Sequence, residues 1–119
     1  MNILVASLST GKGTWGHVSQ VIKNESWDKI ILVSNEFGKE NYKPEKAVEY
    51  VIVDQMSGIK DIRDRIYNEL KEKINDLGDV ALNIVSGEGK EHMAMIAALL
   101  KLGFGIRLVA ATKDGIEEI

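Results

Sequence analysis

The stretch Val80-Ala81-Leu82-Asn83-Ile84-Val85-Ser86-Gly87-Glu88-Gly89-Lys90-Glu91 decides the fold. Its first six residues are a short apolar run with strand character. Ser86–Lys90 then breaks the run with glycines and polar groups, and Glu91–Leu102 reads as a mostly apolar helix. A strand, a glycine-rich turn and a helix in that order point a turn and a helix N-terminus out of one end of a sheet. Both are rich in backbone N–H groups, which suits an anion such as phosphate. The chain opens on a second unit of the same kind: Ile3–Ser7 as strand, Leu8–Thr14 as turn, and a helix from Trp15. The expectation is that the two turns sit side by side and form one ligand site.

Between these units the same logic assigns the other elements. The helix Trp15–Asn24 repeats apolar residues at Trp15, Val18 and Val21–Ile22, with Thr14 as its predicted N-cap. Lys29–Ser34 and Val48–Asp54 are the second and third strands, centred on Ile30-Ile31-Leu32-Val33 and Val51-Ile52-Val53. The polar segment Asn35–Ala47, which holds the only proline, reads as a loop with one helical turn. Ile59–Leu77 is the longest predicted helix. Ile59, Ile62, Ile66, Leu70, Ile74 and Leu77 share one face, and Gly78 follows as a C′ residue. Its charged face is most simply solvated. Gly103 ends the last helix and Ile106–Ala110 forms a fifth strand. The tail Thr112–Ile119 adds a short strand or a helical turn.

Continuous apolar strands alternating with amphipathic helices predict an α/β, Rossmann-like three-layer fold around a mostly parallel sheet of about five strands. Right-handed crossovers favour the order 3-2-1-4-5. In that order the chain reverses direction across the sheet between strands 1 and 4, where ligands of open α/β sheets bind. Topology therefore joins the two glycine-rich turns.

Composition bounds the rest. A chain of 119 residues, 45% hydrophobic and 28% charged, fits one domain over residues 1–119 with an ordinary core. A net charge of −3 gives no bulk attraction to nucleic acid or acidic membranes, so no long nucleic acid and no membrane are expected as partners. There is no cysteine and there are only two histidines, which excludes disulfides, thiolate metal sites and a His-rich metal site; no metal and no cofactor are expected. No leader or membrane-spanning stretch is read before the first strand, and a cytoplasmic protein is the default expectation.

The first turn is not a Walker A loop, because Gly16-His17 stands where the lysine would be needed. Gly11, Gly13 and Gly16 match the letters of the dinucleotide fingerprint. The match starts beyond the strand, however, and no acidic residue ends the second strand, where Ser34-Asn35 stand with Glu36 just after. In the second turn, the glycines Gly87 and Gly89 allow backbone to approach a ligand closely. Ser86 offers a hydroxyl and Lys90 an ammonium. The plain alternative is a helix-capping turn with a solvated lysine.

Ser86, Gly87 and Lys90 also resemble, in place, the second motif of the CARF domains, the CRISPR-associated Rossmann-fold family. That motif follows the fourth strand, reads approximately [ST]-G-G-T-K-x-M-[SA], and opens a small-residue-rich helix. Glu88, Gly89 and His92 depart from it, while Ala94-Met95-Ile96-Ala97-Ala98-Leu99-Leu100 has the expected character. Leu4-Val5-Ala6-Ser7-Leu8-Ser9-Thr10 is similar to the strand and hydroxyl-bearing turn of the family's first motif. The resemblance implies a homodimer that binds a cyclic oligoadenylate across its two-fold axis, in CRISPR-linked antiviral signalling. Many members of that family carry a nuclease or winged-helix domain after this one; here a stand-alone domain is expected, and the R-x4–6-H motif of HEPN ribonucleases is absent.

A metal-independent ring nuclease is one form of that reading. There a ribose 2′-hydroxyl attacks the neighbouring phosphorus while the protein aligns it and stabilises the added charge. Lys90 and Ser9 are the catalytic candidates. Ser9, Thr10, Gly11, Lys12, Ser86, Gly87, Gly89 and Lys90 are the ligand-binding candidates. His17 and His92 are candidate proton carriers, the ordinary alternative being residues of a helix face. Trp15 is read first as core packing, with base stacking as the alternative. Two other readings remain open: a non-catalytic regulatory or interaction module, and a mono- or dinucleotide-binding protein.

Overall fold

The computed structural model describes residues 1–75 and 78–119. Five strands are parallel: β1 (Ile3–Ser7), β2 (Lys29–Ser34), β3 (Glu49–Ile52), β4 (Asp79–Asn83) and β5 (Gly105–Thr112). A sixth, β6 (Gly115–Glu118), returns antiparallel on β5. The order is β3-β2-β1-β4-β5-β6, so the predicted order of the first five holds and the tail resolves into a strand. Helices α1 (Trp15–Lys23), α2 (Glu36–Asn41), α3 (Ile59–Lys73) and α4 (Gly89–Leu102) complete the chain, with a 3-10 turn at Lys12–Thr14. Among the described residues no helix is long and apolar enough to cross a membrane.

The unbroken apolar strands acquire their meaning here. Val5, Ile31, Val33, Val51, Val80 and Leu82 point to one side and pack with Ile62, Ile66 and Leu70 of α3 and Ala94, Met95, Ala98 and Leu99 of α4. Leu4, Ala6, Ile30, Leu32 and Ala81 point to the other and pack with Trp15, Val18, Val21 and Ile22 of α1 and with Tyr42. A strand covered on both faces cannot alternate apolar with polar. β1 sits between β2 and β4 and is buried along its whole length.

Several boundaries differ from expectation for local reasons. The segment after β2, read as a loop with one helical turn, holds the six-residue helix α2 at its start. The Asn35 side chain caps it by accepting from the Gly38 N–H at 2.9 Å. Gly38 lies so close to Ser34 that a Cβ there would collide with the serine side chain, so the glycine lets this short helix rest on the end of β2. Helix α3 ends at Lys73, with Ile74 extended at φ −116°, ψ 110°, so Gly78 is not its C′ residue. The predicted stripe residue Leu77 lies outside the described residues. Thr14 makes no capping bond to α1; its hydroxyl is used elsewhere.

Candidate functional site at the carboxyl ends of the parallel strands

All five parallel strands end at one rim. The turns after β1 and β4 leave that rim on either side of the point where the chain switches direction across the sheet. Ser86 fastens them together. Its hydroxyl accepts from the Ser9 N–H at 2.8 Å, 77 residues away in sequence, and from the Thr14 hydroxyl at 2.6 Å. Its carbonyl accepts from the Ser7 hydroxyl and from His92 Nε2, the latter at 2.7 Å. That carbonyl can only accept, so His92 Nε2 carries a proton. Ser86 is fully buried, so its role in the structure is to hold one turn against the other.

Gly87 follows with φ +100°, a conformation that L side chains rarely adopt. A Cβ there would lie 3.0 Å from His92 Nε2 and 3.1 Å from Glu91 Oε2. Glycine is therefore required both for the backbone and for the space. Glu88 then precedes α4 in extended conformation without capping it through its side chain. Around Gly89 the space beyond the backbone is open. Glu88, Gly89 and Lys90 are all exposed, so the entry to α4 meets solvent, while Glu91 turns inward.

The first turn is built on Trp15. Its indole N–H donates to the Ser9 carbonyl at 2.9 Å, while the ring packs edge-on against Tyr42 at 5.5 Å and tilted against Phe37 at 6.2 Å. Trp15 is thus core packing that also pins the turn. The Ser9 hydroxyl donates to the Gly11 carbonyl at 2.5 Å. Thr10, Gly11 and Lys12 are exposed, and the Lys12 ammonium lies 5.9 Å from the Trp15 ring centre.

Lys90 is not poised over the turns. Its ammonium donates to the Gln55 carbonyl at 2.6 Å and the Ser57 carbonyl at 2.9 Å, both in the loop between β3 and α3. Gln55 Nε2 in turn donates to the buried carboxylate of Glu91 at 3.1 Å. Three bonds therefore tie the start of α4 to that loop. His17 lies on α1, against the end of β4 and the latter part of β5. Asn83 Nδ2 donates to its Nε2 at 3.0 Å and to the Val109 carbonyl at 2.8 Å. With Nε2 accepting, the His17 proton sits on Nδ1. Burial holds its pKa below the usual histidine value.

So the rim brings Ser9, Ser86 and Gly87 into one bonded unit, sets Thr10, Gly11, Lys12 and Gly89 exposed around it, and turns the Lys90 ammonium toward the neighbouring loop. Sequence reasoning missed a cavity of about 570 Å³ beside this unit, at the ends of β2 and β3. It is lined by residues such as Asn35, Phe37, Asp54 and Asp61. The available signal was position alone, since these residues stand just after two strands that end at the rim.

No protein-family model matches the chain, and no curated protein matches it in sequence. Among solved structures it is similar to Csm6 from Enterococcus italicus bound to cyclic hexa-2′-fluoro-hexa-dAMP. The TM-score is 0.63 at 13% sequence identity, over 99% of this chain and 35% of that one. The chain therefore spans about a third of that protein's length. At this identity the likeness is one of fold: a six-stranded, mostly parallel sheet with helices on both faces.

Proposed function

We propose that this chain is a CARF-like domain that binds a cyclic oligoadenylate at the paired turns, across the two-fold axis of a homodimer, in CRISPR-linked antiviral signalling. The observation that carries the proposal is the Ser86 hydroxyl. It joins the turns after β1 and β4 at the switch point, where a doubly wound sheet receives its ligands. The fold likeness to a protein bound to a cyclic hexanucleotide of the same base supports it. So do the two short motifs at the positions the family uses. In this reading Ser9, Thr10, Gly11 and Lys12 from one turn, and Gly87 and Gly89 from the other, face the ligand, while Ser86 and Lys90 hold the turns in place behind them. Ser86 and Gly87 act by fixing backbone N–H groups, and Gly89 and Gly11 by leaving room for phosphate. A ring with rotational symmetry matches a site made twice from the same turns.

Binding without cleavage is the form that a specific observation favours. The Lys90 ammonium is held by two backbone carbonyls and the Ser9 hydroxyl by the Gly11 carbonyl, so both catalytic candidates already have partners within the fold. Cleavage by Lys90 and Ser9 requires both to change partner on binding.

Calorimetric titration with cyclic tetra- and hexa-adenylate, alongside linear oligoadenylate, NAD and ATP, tests the reading. Saturable binding of a ring at one ring per two chains is expected. Absence of ring binding at millimolar concentration overturns it, and binding of NAD or ATP alone points to an ordinary nucleotide-binding protein. Incubation of labelled ring with the protein and with Lys90→Ala separates the two forms. Cleavage that the variant loses would replace binding alone with catalysis.

A further inference from the structure

The cavity beside the paired turns is walled by two pieces of chain, each fastened to one turn. Phe37, on one wall, packs on Trp15, which holds the first turn through the Ser9 carbonyl. Gln55 and Ser57, on the other wall, are held by Lys90 of the second turn. The turns lie at the ends of β1 and β4 and the cavity at the ends of β2 and β3. Its centre is two strand spacings from theirs, about 10 Å along the rim. That is roughly the reach of one nucleoside extending from a phosphate held on the turns.

The lining chooses among ligand groups. Glu36, Asp54 and Asp61 bring three carboxylates, against the single guanidinium of Arg65. An anion is repelled from such a pocket, whereas amino and hydroxyl hydrogens are accepted by it. The Phe37 ring, 42% exposed, offers a flat apolar face, and the buried Ile62 lies beneath. Arg65 forms no salt bridge among the described residues, which leaves its guanidinium plane able to stack. A flat ring, amino and hydroxyl donors, and no negative charge together describe a nucleoside carrying an exocyclic amine.

We propose that this cavity, between the loop after β2 and the loop after β3, binds the base and ribose of an adenine nucleoside. Phe37 stacks on the base, and the carboxylates of Asp61 and Asp54 accept from the amine and the ribose hydroxyls. The choice of adenine rests on the ring-binding function proposed above; the preference for an uncharged, donor-rich aromatic group rests on the lining alone.

The test is a titration of the isotope-labelled full chain with adenosine, followed by backbone amide resonances, with uridine in parallel. Adenosine is expected to shift amides of residues 35–37 and 52–62 and to bind several-fold more tightly than uridine. Phe37→Ala is expected to weaken adenosine by about tenfold, the usual scale of one base–aromatic stack. Asp61→Asn, an exposed and conservative change, is expected to weaken it several-fold with the fold intact. Shifts elsewhere, no shifts, or affinity untouched by both variants would overturn the assignment. A cyclic oligoadenylate that shifts residues 9–12 and 86–90 but leaves 35–37 and 52–62 unmoved would overturn it too, while sparing ring binding. Adenosine seated in the cavity of a protein that binds no ring would uphold the cavity and end the ring-binding reading.

Discussion

Replacing Ser86 by alanine removes one oxygen atom and tests how the site is held. The carbonyl of residue 86 keeps its bonds from Ser7 and His92, so the backbone of the second turn stays seated. What disappears is the acceptor for the Ser9 N–H and the Thr14 hydroxyl. Thr14 retains the Ser9 hydroxyl nearby at 3.5 Å, but among the described residues no other partner of the Ser9 N–H is in place. A hydrogen bond of this kind contributes about 1 kcal/mol, and a donor stranded away from water costs about 1–3 kcal/mol. Ser9 is only half-buried, which places the expected loss at about 1–2 kcal/mol. For a domain of this size that lowers Tm by about 4–10 °C. Urea unfolding followed by circular dichroism gives the number, and the absence of cysteine keeps the transition free of redox chemistry. A double-mutant cycle with Thr14→Val isolates the hydroxyl pair, for which a coupling of at least about 0.5 kcal/mol is expected. Exchange of the Ser9 amide is expected to accelerate more than that of β1. A loss below about 0.5 kcal/mol, or a strictly additive cycle, would refute the idea that Ser86 joins the turns.

Three further outcomes follow from the same geometry. Gly87→Ala is expected to cost about 1–3 kcal/mol in urea unfolding, because the left-handed backbone is strained by any side chain and the new methyl meets His92 and Glu91; an unchanged midpoint would count against it. Burial lowers the His17 pKa in the folded state, so below about pH 6.5 the unfolded chain binds the proton more readily and stability falls with falling pH. That contribution is fully present above the unfolded value, and His17→Gln is expected to flatten the slope between pH 7 and 5. Lys90→Met is expected to change global stability by less than about 1 kcal/mol, since an exposed charged group is involved, yet to speed proteolysis or amide exchange in the loop around Gln55–Ser57.

The parallel core was legible because each of its strands must be apolar on both faces, and runs such as Ile3-Leu4-Val5-Ala6 admit few other readings. The pairing of the two turns was legible for a different reason: topology brings the ends of β1 and β4 together whatever the side chains do. Helix α2 was not legible. Glu36–Asn41 has no apolar period and a glycine in the middle, and it exists because Gly38 fits against Ser34 and Asn35 supplies a cap. The end of α3 was misplaced because Ile74 continues the apolar spacing while its backbone has already become extended. Thr14 carried the letters of an N-cap, but a partner 72 residues away takes its hydroxyl. Lys90 is the same lesson at the site. Its charge was visible in the sequence, but the two carbonyls that hold it belong to a loop whose position only the folded chain defines.

The two outermost strands of the sheet differ from the apolar interior in a way that bears on solubility. β6 ends in Glu117 and Glu118, both exposed, and β3 begins at Glu49, which is paired with Lys29 and Lys73. Laying the β6 border of one molecule against that of another would crowd four glutamates together. Open-ended stacking into fibres is thereby discouraged on that flank.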